Sequence, residues 1–436
     1  MAWRLDPSRR LAMLKVHALL DYAFSVSGMA YLGMYMASLG FSIEIFFAVS
    51  VITVLTALVS QNLLARRSDI KGERLPYLLW SKGFYAASML LVAFLPSVFT
   101  IIVATVLANL ISGEMITAAV VYEIIDEKAT MLASTGGATM NKATEFSRYR
   151  IFGSLGWAFT APVAGFAIEA LNAVGEDPLL GYRVLFTISA AGVLALGVFL
   201  RAILLGLRAG VASSVVPGPR AHGNGFRMTL PYVMLLSSSL VFSIAVSIQS
   251  SALAPFLKSG LGLDEGFFGL MMFTWATSEV PLFFLSSHLT KRAGWRPMVL
   301  ISYAFLLVKL AAYMIVVSPV LAPVILLVQI LNPFGISFPA KTYAITNELA
   351  RNGKALGMSL YHTSNAVGSF VGGLLGMVMS LLLGPVANTM EGYRAFFGVS
   401  FIVSCVAISI FVVLATVDRV RRGQGSHQVL APAGPR

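Results

Sequence analysis

Apolar residues in this chain run in long blocks, separated by short polar breaks, and do not alternate or recur as a single helical stripe. A helix needs about 20 apolar residues to cross the hydrocarbon layer of a bilayer. Read between the polar breaks, the sequence offers twelve blocks, near 12–38, 43–65, 75–95, 97–122, 146–170, 182–206, 228–256, 266–289, 297–317, 320–347, 355–383 and 393–417. Blocks beyond the minimum length are absorbed by tilt. The pattern predicts an all-α polytopic membrane protein of twelve transmembrane helices.

The polar breaks set the orientation. With the N-terminus inside, the inner segments hold Arg9, Arg10, Lys15, Arg66, Arg67, Arg74, Lys128, Arg148, Arg150, Lys291, Arg292, Arg296, Arg351, Arg421 and Arg422 among others. The outer loops hold only Arg183, Lys258 and Arg394. Such asymmetry follows the positive-inside rule and places both termini in the cytoplasm. Met1–Lys15 has no small-residue cleavage site and reads as a cytoplasmic end leading into the first span.

The two sides of the chain share signals. Leu39-Gly40-Phe41 matches Leu261-Gly262-Leu263, Phe46 matches Phe268, and Gly72-Glu73-Arg74 matches Gly294-Trp295-Arg296, all at one offset. The Pro/Gly/Ser-rich stretch Ser213–Gly225 between them reads as a linker. The expected organisation is a first six-helix bundle over 1–207, a linker over 208–227, a second bundle over 228–418 and a cytoplasmic tail over 419–436.

Composition narrows the function classes. The 436 residues are 57% hydrophobic and 11% charged, against roughly half and a quarter in soluble chains. The net charge of +12 is accounted for by the inner loops, so no nucleic-acid partner is needed. Cys405 is the one cysteine and sits in an apolar run, which excludes an internal disulfide and a Cys-rich metal site. No H-E-x-x-H spacing, P-loop or nucleophile–base pair stands out, which argues against an enzyme, a primary pump and a bound cofactor or metal. A membrane sensor would be expected to carry a soluble output domain, and no polar stretch is long enough for one.

Ionisable groups at membrane depth are costly and usually face a partner or a cavity. Asp21 lies within the first span with His17 one turn earlier, Glu114 within the fourth, Glu279 within the eighth and Lys309 within the ninth. Each is either a structural ion-pair partner or a functional group. Lys82 and Lys341 lie nearer span ends and could snorkel. A polar lining is offered by Gln249, Gln329, Asn332, His362 and Asn365, with Tyr22 and Trp275 as possible stacking rings. Helix-to-helix hydrogen bonding and core packing are the plainer readings of these residues. Gly368, Gly372, Gly373 and Gly376 form small-xxx-small spacings for close helix packing.

Four stretches carry a family resemblance. They are Glu145-Phe-Ser-Arg148-Tyr-Arg150-Ile-Phe-Gly153-Ser154-Leu-Gly156, Glu279-Val280-Pro281-Leu282-Phe283-Phe284, Lys309, and Gln329-Ile-Leu-Asn332. The sequence resembles the major facilitator superfamily, and within it the proton-symporter branch of phenylpropionate permease, the nucleoside symporters and lactose permease. It departs from the branch in having Lys309 for Arg, Asn332 for His and an acid shifted to Glu123 or Asp126. The second copy of the superfamily loop motif keeps Arg292 and Arg296 but has Lys291 for its acid. The resemblance implies two pseudo-symmetric six-helix bundles around a central site.

The expected function is secondary active transport of a small organic solute by alternating access, coupled to protons, in the plasma membrane. A uniporter, an efflux carrier or a non-transporting sensor or scaffold are the alternatives. Asp21, Glu279, Glu114 and Lys309 are the expected proton-coupling groups, with Lys309 holding Glu279 in the closed state. His17, Tyr22, Gln249, Trp275, Gln329, Asn332, His362 and Asn365 are the expected solute lining. Arg148 and Arg150, paired with Glu123, Asp126 or Glu145, and Arg292 and Arg296 in the second half, are the expected cytoplasmic gate.

Overall fold

The computed structural model describes residues 6–71, 74–111, 113–136, 140, 142–204, 228–349 and 354–428. Within them every regular element is helical. The helices are α1 (Pro7–Asp21), α2 (Ser27–Ser38), α3 (Ile43–Lys71), α4 (Leu75–Phe94), α5 (Val98–Leu110), α6 (Gly113–Ser134), α7 (Lys142–Val174) and α8 (Leu180–Leu204). They continue as α9 (Leu230–Pro255), α10 (Glu265–Ala293), α11 (Trp295–Ile315), α12 (Ala322–Gln329), α13 (Pro333–Tyr343), α14 (Lys354–Leu383) and α15 (Met390–Gln428). Among the described residues ten stretches are long and apolar enough to cross a membrane, and Val98–Leu110 is a shorter apolar helix. The expected linker lies outside the described residues.

Three expected spans are interrupted rather than continuous. α1 and α2 are joined by a widened π turn, Tyr22–Val26. α5 ends where Ile111 turns extended, at φ −128° and ψ 102°. The tenth span breaks between α12 and α13. Pro333 has no N–H to continue the ladder and pushes Asn332 out of helical geometry, to φ −82° and ψ 106°. The Asn332 side chain then caps α13, accepting from the N–H groups of Phe334 and Gly335 at 3.0 and 3.2 Å. At the other extreme, α15 continues as helix to Gln428, past the expected span end at 417.

The matched loops share a backbone solution. Gly40 and Gly262 both sit in the left-handed region, at φ 71° and 66°. Each follows a helix end whose carbonyls are closed by later N–H groups, Phe41 to Met36 in one and Leu263 to Leu257 in the other. A side chain with a Cβ would be strained at either position.

Close approaches between helices are made by glycine. A Cβ on Gly156 of α7 would fall on the Leu19 carbonyl of α1, and one on Gly368 or Gly372 of α14 on the Leu240 or Ile244 carbonyl of α9. Gly373 and Gly376 face Val51 and Phe47 of α3. One glycine run thus packs α14 on both sides. Large apolar side chains such as Phe99, Val163, Val198 and Leu382 point outward, which suits a surface solvated by lipid. The first six spans meet the second six along α7–α10 and α3–α14.

Candidate functional site

The α7–α10 seam carries an acid at the middle of an apolar helix. Glu279 lies mid-way along α10, two residues before Pro281. The cation acting on it is Arg150 of α7, from the first half, and the same arginine acts on His362 of α14. The Arg150 guanidinium lies over the Phe338 ring of α13, 4.4 Å from its centroid. Four helices therefore bring an acid, a guanidinium, an imidazole and a ring to one place between the halves. Above it, Trp157 of α7 packs edge-on to Trp275 of α10 at 4.7 Å, and Trp275 in turn packs on Phe334 of α13 at 6.5 Å.

The pairing of Lys309 with Glu279, expected of the closed state, is not made in this structure. Lys309 is buried in α11, and among the described residues no carboxylate lies within ion-pair distance of it. Lys341 does not snorkel. It is 2% exposed, and its ammonium lies over three rings: Phe242 and Tyr303 at 5.2 Å and Tyr361 at 5.7 Å.

In the first half, Asp21 ends α1 and is ion-paired to Lys82 of α4. The π turn that follows is held by Tyr85, which donates to the Ser25 carbonyl, and by Ser189, which donates to the Phe24 carbonyl at 2.5 Å. Tyr22, at the start of that turn, lies against Gly153. His17 is fully buried beside Phe199, and neither ring nitrogen has a hydrogen-bond partner among the described residues. The side chain of Glu114 lies outside the described residues.

Gln329 and Asn332 are engaged in the break of the tenth span. Gln329 Nε2 donates to the Tyr313 hydroxyl at 2.7 Å and to the Ile325 carbonyl at 3.1 Å. Asn332 Nδ2 donates to the Trp275 carbonyl at 3.0 Å, and Ser278 donates to the Gln329 carbonyl at 3.3 Å. Gln249 is buried in α9, and Asn365 accepts from Ser243 at 3.3 Å across α9 and α14.

The expected gate residues separate into local pairs. Arg74 takes Glu123 at 2.6 Å, Arg10 takes Glu127 at 3.0 Å, and Lys15 and Arg148 share Glu145 at 3.4 and 2.9 Å. Arg296 pairs with Asp418 at 2.6 Å, while Arg292 and Asp126 are exposed. So Arg74, not Arg148 or Arg150, is the partner of Glu123. Every one of these pairs stays within one half of the chain. Glu145 is held below the usual carboxylate range: burial pushes it up, but Lys15, Arg148 and Lys128 together outweigh that.

At the opposite end the halves are tied. Glu265, the first residue of α10, is 4% exposed and accepts at Oε1 from Tyr182 of α8 and from Lys258, each at 2.6 Å. Tyr31 donates to the Ala161 carbonyl at 2.7 Å and lies 3.5 Å from the Glu265 carbonyl. The Ile43 N–H donates to Asn388 Oδ1 at 2.8 Å. The sequence reading missed Glu265 and Tyr182, because both sit beside loops where an acid or tyrosine is ordinary. The available signal was the pair Asp264-Glu265 opening an apolar span, with only Asp264 needed as the cap.

A family model described as MFS_1 like family matches residues 11–386. Solved structures of the same fold include the nucleoside transporter NupG, at 14% identity over 92% of this chain and 99% of that one, TM-score 0.68. A bacterial homologue of the human lysosomal transporter Spinster, inward-facing and occupied, matches at 14% identity over 94% and 97%, TM-score 0.69. A bacterial homologue of the iron transporter ferroportin, inward-facing, matches at 16% identity over 93% and 98%, TM-score 0.67. At these identities the likeness is one of fold. No curated protein matches the chain in sequence.

Proposed function

The chain belongs to the MFS_1 like family, and from that premise we propose that it is a secondary carrier of a small organic solute, working by alternating access and driven by protons. The observation that carries this reading is the placing of Glu279 and Arg150 on opposite sides of the seam between the halves. The two are not within ion-pair distance here, but a cation that acts on an acid from across a moving seam acts on it more in one state than in the other. When the halves carry Arg150 away, Glu279 loses that cation, and taking up a proton relieves the lone charge. Pro281 frees the carbonyl one turn before it and gives α10 a point of flexure beside the acid.

The tied end carries the loops assigned to the outside, and among the described residues the other end has the Arg150–Phe338 contact across the seam and ion pairs only within halves. We read this as an inward-facing state. Both termini and residues 208–227 are then cytoplasmic, with 1–207 and 228–418 as the two rocking bodies. Asp21, neutralised by Lys82, and His17 are assigned to support of the first half, and Glu279, Arg150 and His362 to coupling.

The test is transport by the purified protein in liposomes. Glu279→Gln should abolish accumulation of solute driven by an imposed pH gradient while sparing exchange of solute down its own gradient. Full accumulation by that variant would remove the coupling role from Glu279 and assign it to another group, whereas a wild type that only equilibrates solute whatever the pH gradient would be a uniporter. A reporter fused at residue 218 that is found outside would overturn the orientation.

A further inference from the structure

We propose that the solute is a small organic anion, held by its carboxylate to Lys341. This rests on the carrier reading and names the charge class of what that same seam takes. The starting observation is an uncompensated cation. Lys341 is 2% exposed, and among the described residues no acid lies within ion-pair distance of it. A buried charge without a counter-charge is expensive at membrane depth, and a chain that keeps one there has a use for it.

The position of Lys341 gives the use. Phe334, Phe338 and Lys341 are spaced four and three residues apart on α13, so they share one face of that helix. Phe334 meets Trp275 of α10, and Phe338 lies under Arg150 of the first half. The face that carries Lys341 is therefore the face turned to the seam. Tyr361, one of the three rings around the ammonium, is packed on His362, which also feels Arg150. Lys341 is thus linked to Arg150 through Phe338 of its own helix and to His362 through Tyr361.

The three rings explain how the cation waits. Phe242, Tyr303 and Tyr361 come from α9, α11 and α14 and offer their faces to the ammonium, an interaction that partly replaces lost hydration. It is weaker than an ion pair in the same surroundings. The four-carbon stem lets the ammonium swing from the rings toward an arriving carboxylate, which then neutralises it. The apolar body of the anion would lie along Phe334, Trp275 and Trp157. A neutral solute leaves the charge as it was and gains nothing from Lys341.

The experiment compares acids with their own amides, so that shape is held and charge is changed. Benzoate and cyclohexanecarboxylate are tested against benzamide and cyclohexanecarboxamide by thermal shift on the purified full chain. The acids should raise Tm and the amides should not. Lys341→Met should fold, since it removes a lone buried charge, and should bind the acids at least tenfold more weakly. Lys341→Arg should keep part of the binding. The assignment is overturned if acid and amide stabilise the wild type equally, if neither acid stabilises it, or if Lys341→Met retains acid binding. Counterflow of neutral solutes in liposomes, glucose and adenosine, separates the two levels. Counterflow of benzoate is measured beside them. If the neutral solutes are carried while the acids are without effect, the anion assignment falls and the carrier stands; if neither the neutral solutes nor benzoate is carried, both fall.

Discussion

Asp21 and Lys82 show how a deep charge is held in this chain. Their side chains are 17% and 12% exposed, and they tie α1 to α4. Removing one partner strands the other in a dry setting, which typically costs about 3 kcal/mol, whereas removing both can be near neutral. Asp21→Ala and Lys82→Ala should therefore each lower Tm more than the double variant does. Equal or additive losses would show that the pair carries no coupling. Glu145 makes a second prediction, in pH. Its carboxyl is held below the usual range, so the stability it adds is present above that range and lost as pH falls through its lowered value. The wild type should lose its Tm advantage over Glu145→Gln on acidification; an unchanging gap would place the shift elsewhere. The sequence made Asp21 and Glu279 legible because a carboxylate inside an apolar block stands out on cost alone. The cations that act on them were not legible, because Lys82, which pairs with Asp21, and Arg150, which acts on Glu279, approach from other helices at spacings no periodicity encodes.

Within the helices, the breaks matter more than the lengths. Asn332 was read as a lining residue, yet its carboxamide caps α13 and reaches the Trp275 carbonyl of α10. Asn332→Ala should cost about 1 kcal/mol of stability through the lost cap, and Asn332→Asp, which can still cap but buries a carboxylate against the Trp275 carbonyl, should lose more. If Asn332→Ala instead raised KM with Tm unchanged, the side chain would belong to the solute and not to the helix. The same logic applies to glycine. Gly156→Val should prevent α7 from closing on the Leu19 carbonyl, and the protein should fail to accumulate in a folded form. The apolar blocks gave the all-helical class and the order of the helices. They could not give the interruptions at Tyr22–Val26, Ile111 and Ile330–Asn332, since hydropathy is blind to a backbone that leaves the helix without leaving the apolar phase. Pro333 was the one visible sign of the last of these.

For the whole molecule, the proposed carrier cycle makes the tie at Glu265 one term in which state is populated. Tyr182 reaches it from the first half, Lys258 from the second, and all three are buried or half-buried. Opening that end separates Tyr182 from Glu265 and admits water, while the Lys258–Glu265 pair stays within one body. The cost of opening thus includes one hydrogen bond to a charged acceptor, worth about 1.5–3 kcal/mol. An equilibrium between two states is moved roughly tenfold by each 1.4 kcal/mol of difference between them. Tyr182→Phe removes the bond and keeps the ring in its contacts with Tyr35 and Phe186. It should raise the share of the state open at that end by about tenfold or more without a large fall in Tm. Cys405 is the single cysteine, so Cys405→Ser gives a clean background for spin labels at Ser42 and Thr389, on the two loops joined by the Ile43–Asn388 bond. The wild type should give one short distance, and Tyr182→Phe should add a longer one. If the distribution is unchanged in the variant, the tie at Glu265 is packing alone, and the closure of this end rests on the α3–α14 seam where Phe47 meets Gly376.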